Sequence, residues 1–422
     1  MLYCNEVEGK MKNYILHIPE GVKDYLREEA FVKNEIENRI KKLFTSYSYQ
    51  LIETPTFEYL DVFTLGDESY QNSKLYKWTN RQGEIVALRS DMTRSIARVV
   101  ATQNSRYPMP QRYAYVSNSF RYPERYQGKI HEFTQAGIEL IGASTLEADA
   151  EVIRIAIEAI KEVGIEDFTI HLGSAKFLSC LLEDIGMNKT EQRDIYEAID
   201  KKDAVKLQSL LTQAKASGEL VEVIVKLIQS AGSTHLLKEV KAASLSATSL
   251  KALEELEALY KLLEIEDLTQ YILFDFSILS YASYYTGMMF QGYTEGIGSA
   301  IVEGGRYDEL LSSFGAPAPA VGLGINIQLL LQKLNHSKAQ NLPSRTLIVC
   351  ERYTREVAYK IASQFRKEGL IIEQSMSSSL EEAICYAKKA SIEGILYFKN
   401  NEEVDVYHLV EDTVQTVKIT AL

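Results

Sequence analysis

Between about residues 175 and 268 the chain is written in Leu, Lys, Glu, Ala and Ser at helical spacing without a proline, while the sequence on both sides is strand-rich and marked by glycine. Apolar residues repeating every 3.6 positions make a stripe along a helix, and only a repeat of two makes the face of a sheet. This block is therefore an all-helical insertion. Phe274 to Phe290 and Ala300 to Ile327 resume a sheet begun before it, so the insertion splits one domain.

Ahead of the insertion, EEAFVKNEIENRIKKLFTSY carries a helical pattern, and YQLIETPTFE follows as a strand ending at Pro55. Alternation in Glu84 to Arg89 and again in Arg112 to Phe120 predicts strands joined as a hairpin. Thr145 to Val163 is an amphipathic helix that leads to a short strand, DFTIHLG, at 167–173. After the resumed sheet, His336 to Ser344 is polar with one proline and reads as a linker. RTLIVCE, a helix over Arg355 to Glu368, LIIEQ, a helix over Leu380 to Lys389, and GILYF then alternate as the β-α-β-α-β of one small α/β domain.

A chain of 422 residues with 46% hydrophobic and 25% charged residues has the balance of a globular protein of two or three compact units. Its apolar stretches are broken by charge or glycine within about ten residues, too short to span a bilayer, and its start lacks the order of a secretory signal. The expected location is the cytoplasm, away from membranes. Cys4, Cys180, Cys350 and Cys385 show no CxxC spacing, and the six histidines form no HExxH or HxH cluster. Neither a metal site nor a cofactor is expected. A net charge of -12 argues mildly against a large polyanion as main partner.

The most specific stretch runs from Ser119-Phe120-Arg121-Tyr122-Pro123-Glu124 through Gln127-Gly128 to Glu132-Phe133-Thr134-Gln135-Ala136-Gly137-Ile138-Glu139. It reads as strand, loop, strand. Gln135, Gly137 and Glu139 share one face of the second strand, so an amide and a carboxylate flank a floor without a side chain, a geometry suited to a small polar ligand. Taken alone, the pair reads first as the solvated face of a hairpin.

In its context the stretch resembles motif 2 of the class II aminoacyl-tRNA synthetases, in the form seen in the histidyl member. In that family the arginine matching Arg121 meets the ATP α-phosphate, and the matches of Gln135 and Glu139 hold histidine. LIETPTFE at 51–58 resembles motif 1, the dimer-forming strand, and Tyr284-Tyr285-Thr286-Gly287 resembles the histidine-binding DYYTG element. GGRYDELLSSFG at 304–315 is similar to the GGRYDGL segment, and AVGLGINI at 320–327 to the start of motif 3. The resemblance implies an α+β fold whose antiparallel sheet is flanked by helices. Residues 1–174 and 269–335 would form the split core, 175–268 the insertion, and 344–422 a domain resembling, more loosely, an anticodon-binding domain.

The departures from the synthetase pattern bear on activity. Ser280 stands where the histidyl synthetases carry the arginine of adenylate formation, and the glutamate-arginine pair of motif 3 falls on Gln328 and Leu329. Acyl-adenylate formation needs charge stabilisation at the α-phosphate and the leaving pyrophosphate, and losing one such group costs about 10²–10³ in rate. Arg306 and Lys129 are the neighbouring cations that could substitute, though neither occupies a matching position. Lys129 and His131 replace usual arginines of the motif 2 loop, weakening its hold on ATP and on a tRNA end. Leu88-Arg89-Ser90-Asp91-Met92-Thr93 and Ile18-Pro19-Glu20-Gly21-Val22-Lys23-Asp24 resemble the regulatory subunits of ATP phosphoribosyltransferase.

The amino-acid pocket survives these losses. Asp91, with Glu139 or Gln135, suits an α-ammonium group, Tyr284 and Tyr285 offer flat walls and hydroxyls to an imidazole, and Arg121 can meet a carboxylate or phosphate. Asp91 and Thr93 equally suit the N-terminus of the SIARVV helix, and the two roles are compatible. The resemblance thus implies a regulatory subunit without aminoacylation activity. Its implied partners are a short-form catalytic subunit, a second copy of itself through motif 1, and L-histidine as effector, with no membrane and no tRNA. A working histidyl-tRNA synthetase and a stand-alone histidine-sensing paralogue are the alternatives.

Overall fold

The computed structural model describes residues 16–65, 75–103, 106–122, 130–229, 231–232, 234–242, 246–278, 284–335, 343–377 and 379–421. Cys4, the loop residues 123–129 with Lys129, Ser280, and the expected linker up to Leu342 lie outside them. The chain forms two compact units, Met1–Lys338 and Ala339–Leu422. Among the described residues no helix is long and apolar enough to cross a membrane.

The first unit begins with α1 (Arg27–Ser46), β1 (Gln50–Leu51), β2 (Phe57–Tyr59), α2 (Leu60–Thr64), β3 (Lys77–Thr79), β4 (Ile85–Leu88) and α3 (Thr93–Gln103). It continues through β5 (Gln111–Phe120), β6 (Glu132–Ile141), α4 (Leu146–Glu162) and β7 (Phe168–Ser174). Helices α5 (Ala175–Asp184), α6 (Lys189–Asp200), α7 (Ala204–Gln213), α8 (Gly218–Gln229), α9 (Thr234–Ala242) and α10 (Ala247–Glu264) follow. Then come β8 (Ile272–Phe274), β9 (Met288–Thr294), β10 (Val302–Arg306), α11 (Leu310–Ser313), β11 (Ala320–Asn326) and α12 (Ile327–Asn335).

One large sheet has the order β1-β5-β6-β11-β10-β9-β7-β8. Its interior pairings are antiparallel, and the outermost strand at each edge, β1 and β8, runs parallel to its neighbour. One face carries Ala136, Ile138, Leu140, Val321, Leu323 and Ile325, which are buried in the main core with Ile36, Ile40 and Phe44 of α1 and Ile153 of α4. Leu181, Ile195, Leu207 and Leu256 belong to the same cluster, so the helices after β7 share one continuous core with the sheet. On the other face Met92, just before α3, and Ile96 and Val100 on α3 cluster with Tyr115 and Tyr307.

Two strand expectations are corrected. In YQLIETPTFE only Gln50–Leu51 pair with β5, and the chain then turns so that Phe57–Tyr59 pair with β4 in a separate sheet of order β2-β4-β3. The buried Arg89 guanidinium holds that turn, with NH1 donating to the carbonyls of Thr54 at 2.9 Å and Pro55 at 3.2 Å and Nε to that of Asn118 at 2.7 Å. Glu84 to Arg89 and Arg112 to Phe120 are not a hairpin, because α3 separates them and they lie in different sheets.

The second unit holds β12 (Arg345–Cys350), α13 (Arg355–Lys367), β13 (Ile371–Gln374), α14 (Leu380–Lys389) and β14 (Gly394–Phe398). It adds an unanticipated antiparallel hairpin, β15 (Glu403–His408) and β16 (Thr413–Lys418), giving the order β13-β12-β14-β15-β16.

In the first unit, α4 starts at Thr145, whose hydroxyl accepts from the Ala148 N–H, and is tied to β10 by a buried ion pair. Arg306 Nε and NH2 reach Asp149 Oδ1 at 2.9 and 2.5 Å, while NH1 donates to the Ala143 carbonyl at 2.9 Å and to Asp308 at 3.0 Å. Removing one partner of a buried pair strands the other charge. Asp149→Ala is expected to cost about 3–5 kcal/mol in urea-induced unfolding, well above the effect of an exposed pair such as Lys360–Glu356.

Candidate functional site

The site grows from the register of three strands. Tyr115 of β5 lies opposite Gly137 of β6, which lies opposite Gly324 of β11, and Glu139 lies opposite Gly322. Alternation puts Phe133, Gln135, Gly137 and Glu139 on one face of β6, away from the main core. Where β11 and β6 lack side chains, those of their neighbours lie flat on the strands. A Cβ at Gly322 would collide with Glu139 Oε2 and sit 2.6 Å from the Ile138 carbonyl oxygen, and one at Gly137 would collide with the Tyr115 ring. At Gly324 the three nearest atoms all belong to the Gln135 side chain.

Glu139 is only 1% exposed, so the solvated-hairpin reading does not hold. The Thr93 hydroxyl donates to Oε1 at 2.7 Å, and the Tyr307 hydroxyl donates to Oε2. Burial pushes the Glu139 carboxyl from 4.5 up to about 8; the two hydroxyls oppose that rise and the Asp91 charge adds to it. Asp91 itself accepts the Arg94 N–H at 3.4 Å in the first turn of α3, so it serves the helix end. Thr93 spends its hydroxyl on Glu139.

Tyr284 and Tyr285 stand edge to face at 5.2 Å, and Tyr284 meets Tyr307 at 5.5 Å. Burial raises both Tyr284 and Tyr285, with the Asp91 and Glu139 charges contributing, so their hydroxyls stay protonated donors. The two glycine-marked motifs interlock behind them. Thr286 N donates to the Arg306 carbonyl at 2.8 Å, and Asp308 N donates to the Thr286 hydroxyl at 2.9 Å.

At the other end of β6, Arg121 stacks over Phe133 at 5.1 Å and its Nε donates to the Ser90 carbonyl at 3.2 Å. His131 bonds Tyr76 through Nδ1 at 2.5 Å beside the Tyr122 ring. The candidate residues Asp91, Thr93, Glu139, Tyr284 and Tyr285 are thus brought together, with Gln135 and Arg121 next along the same face. Sequence reasoning missed Tyr307 and Tyr115. Tyr307 carries a local signal, the tyrosine of GGRYD, whereas Tyr115 is marked only by register.

At the positions matching the motif 3 pair, the described residues are an amide and an apolar side chain. Gln328 accepts the Thr134 N–H at 2.8 Å through its amide oxygen, and Leu329 packs against the main core. Arg306 is committed to Asp149, Asp308 and the Ala143 carbonyl.

A family model described as histidyl-tRNA synthetase matches residues 21–330. A protein of Ruminiclostridium cellulolyticum named ATP phosphoribosyltransferase regulatory subunit is 37% identical over 417 residues, covering 98% of this chain and 99% of that protein. One of the same name from Acetivibrio thermocellus is 35% identical over 415 residues, covering 98% and 99%. The chain belongs to the family of ATP phosphoribosyltransferase regulatory subunits. A solved structure described as an ATP phosphoribosyltransferase regulatory subunit/histidyl-tRNA synthetase from Bacillus halodurans C matches with a TM-score of 0.83 at 30% identity, covering 92% of this chain and 99% of that one. Histidyl-tRNA synthetase from Nostoc sp. PCC 7120 shares the fold, with a TM-score of 0.81 at 22% identity over 96% of this chain and 97% of that one. The architecture is the α+β fold of class II synthetases, as the motifs imply.

Within this regulatory-subunit family member, the two glycines facing Gln135 and Glu139 differ in what an added Cβ would strike. Gly324→Ala is expected to push the flexible Gln135 side chain aside and weaken ligand binding while costing the fold less than about 1.5 kcal/mol, because no backbone atom is struck. Gly322→Ala strikes the Ile138 carbonyl and is expected to cost at least about 2 kcal/mol. Paired denaturation and binding curves check both.

Glu139 also predicts a pH dependence. Its folded value lies above its unfolded one, so its contribution to stability is complete below about pH 4.5 and is lost as the pH rises toward 8. Glu139→Gln is expected to remove a slope of up to about 1.4 kcal/mol per pH unit. Unfolding at pH 5 and pH 8 should show the variant gaining on the parent at the higher pH.

Proposed function

We propose that this chain acts as a non-aminoacylating regulatory subunit of ATP phosphoribosyltransferase, which joins ATP to phosphoribosyl pyrophosphate in the first step of histidine biosynthesis, and that its effector is L-histidine. The observation that carries the reading is the contrast between the two ends of one strand. The amino-acid end keeps Glu139 with its two hydroxyl donors, Asp91 and the tyrosine walls. The phosphate end has Leu329, partly buried against the core, in place of an arginine and Gln328 committed to a backbone amide.

On this reading histidine lays its imidazole against Tyr284 and Tyr285 with a ring nitrogen toward Glu139. Its ammonium faces Asp91 and Gln135, and Arg121 serves the carboxylate. ATP can gain little activation there, since the charge that develops on transferred phosphate has no facing cation in motif 3. Feedback requires histidine to favour one state of the assembly with a short-form catalytic subunit, and a differential of about 1–3 kcal/mol suffices. A second copy would join through the motif 1 region, where Phe57, Tyr59 and Trp78 present an exposed apolar face. The complex would act in the cytoplasm.

The test is ATP phosphoribosyltransferase activity of a short catalytic subunit, with and without this chain, across a histidine titration. Activity should depend on the chain and fall with histidine. Gln135→Ala or Glu139→Ala should shift the inhibition curve by at least about tenfold, the loss of one charge-assisted hydrogen bond. An unchanged curve in both variants removes the pocket assignment, and histidine-dependent pyrophosphate exchange by the chain alone would favour the synthetase alternative.

A further inference from the structure

At the start of β6 the register sets a small residue against a large one. Ser119 of β5 lies opposite Phe133, and Phe120 lies opposite Glu132. The pairing carries on one step past the strands, where Arg121 N donates to the His131 carbonyl at 2.8 Å. Alternation turns Ser119, Arg121, Phe133 and Gln135 to the pocket face, and Arg121 becomes the diagonal neighbour of Phe133, close enough for a long side chain to cover the ring. Its guanidinium carbon stands 5.1 Å from the centre of that ring, and its Nε donates to the Ser90 carbonyl at 3.2 Å. Phe133 is 7% exposed, so with Arg121 over it the ring offers no open face on which a base could stack. A leucine would fill the same space and exclude water equally well. It would not attract a cation.

We infer that Phe133 is a positioning residue, acting through Arg121, that makes the pocket favour a ligand bearing an α-carboxylate over the same ligand without one. This rests on the reading of the pocket as a histidine site in which Arg121 serves the carboxylate. An arginine side chain has many rotamers and loses that freedom on meeting a ligand, unless its fork is already fixed. Two contacts fix it here. The negative face of the Phe133 ring attracts the guanidinium, and the Ser90 carbonyl takes Nε. The terminal nitrogens are then the pair presented to a carboxylate, the bidentate arrangement in which arginine binds most strongly. Gln135, read as facing the ammonium, follows Phe133 by two residues on the same face, roughly 7 Å along the strand. The two charged ends of one amino acid can thus be met from neighbouring positions. A ligand with a hydroxymethyl group in place of the carboxylate gains little from a fixed fork.

Equilibrium binding of L-histidine and L-histidinol to the full chain tests this in the parent, Phe133→Leu and Phe133→Tyr. The parent should favour histidine. Phe133→Leu should weaken histidine binding by about fivefold, as expected for one partly screened cation–π contact, and histidinol binding by less than about twofold. Phe133→Tyr keeps an aromatic face and should keep the preference. In an Arg121→Met background the preference should already be gone, and Phe133→Leu should change it no further. A parent without a preference, equal losses for both ligands, a preference unchanged in Phe133→Leu, or a full-sized Phe133→Leu effect without Arg121 overturns the inference and leaves the histidine pocket standing. A parent that binds neither ligand overturns the pocket reading and this inference with it. Should Phe133→Leu fail to fold, a trifluorinated phenylalanine at position 133 keeps the shape of the ring and drains its face of negative charge; it must lower the preference, and no change counts against the role.

Discussion

The antiparallel pairing of β6 with β11 holds two strands about 4.8 Å apart, and on one face β11 offers no side chain at Gly322 or Gly324. That bare strip is what the rest of the site depends on. It lets Glu139 and Gln135 lie down across the neighbouring strand and lets Tyr115 cover Gly137. The same strands turn Ala136, Ile138, Leu140, Val321, Leu323 and Ile325 to the opposite face, where α1 and α4 bury them. One register therefore sets both the core and the pocket, and a slip by one residue would exchange them.

A carboxylate so deeply placed is expensive to keep charged, and its neighbours reflect this. Thr93 and Tyr307 each supply one donor, and both arrive from segments the register alone does not control, the start of α3 and the turn after β10. Arg306 fixes the second of these by tying β10 to Asp149 on α4, and Arg89 fixes the first by clamping residues 54–55 to the end of β5. Buried cations thus serve as struts around a cluster of side chains that is mostly acidic and hydroxylic. On a scaffold shared with histidyl-tRNA synthetase this bracing holds the Glu139 cluster in place, while at the start of α12 the partly buried Leu329 packs against the core.

Much of the fold was legible because its periods are clean. The Thr145 to Val163 helix emerged within a residue at each end, since Thr145 is a true cap and the apolar repeat is unbroken. The strand at 167–173 and the strand-loop-strand around β5 and β6 were equally plain. Failures came where pairing partners are distant. Glu84 to Arg89 and Arg112 to Phe120 both alternate, yet alternation names no partner, and α3 sends them to separate sheets. YQLIETPTFE divides because the buried Arg89 captures the carbonyls of Thr54 and Pro55, 35 and 34 residues away in sequence. The final hairpin, β15 and β16, escaped notice although Val404 and Val406 alternate there, because one strand is largely exposed and carries little apolar signal.

The sequence by itself determined which residues share the pocket face, because a period of two is a local property of any strand. It also determined that Ser280 and Leu329 cannot supply guanidinium groups, because identity alone settles charge. Only the tertiary structure decided that Glu139 is desolvated and held by Thr93 and Tyr307, that Arg306 is a strut, and that Arg121 stacks over Phe133. Burial and partner choice arise from segments far apart in the chain. Their energies exist only once the sheet has brought those segments within hydrogen-bonding distance.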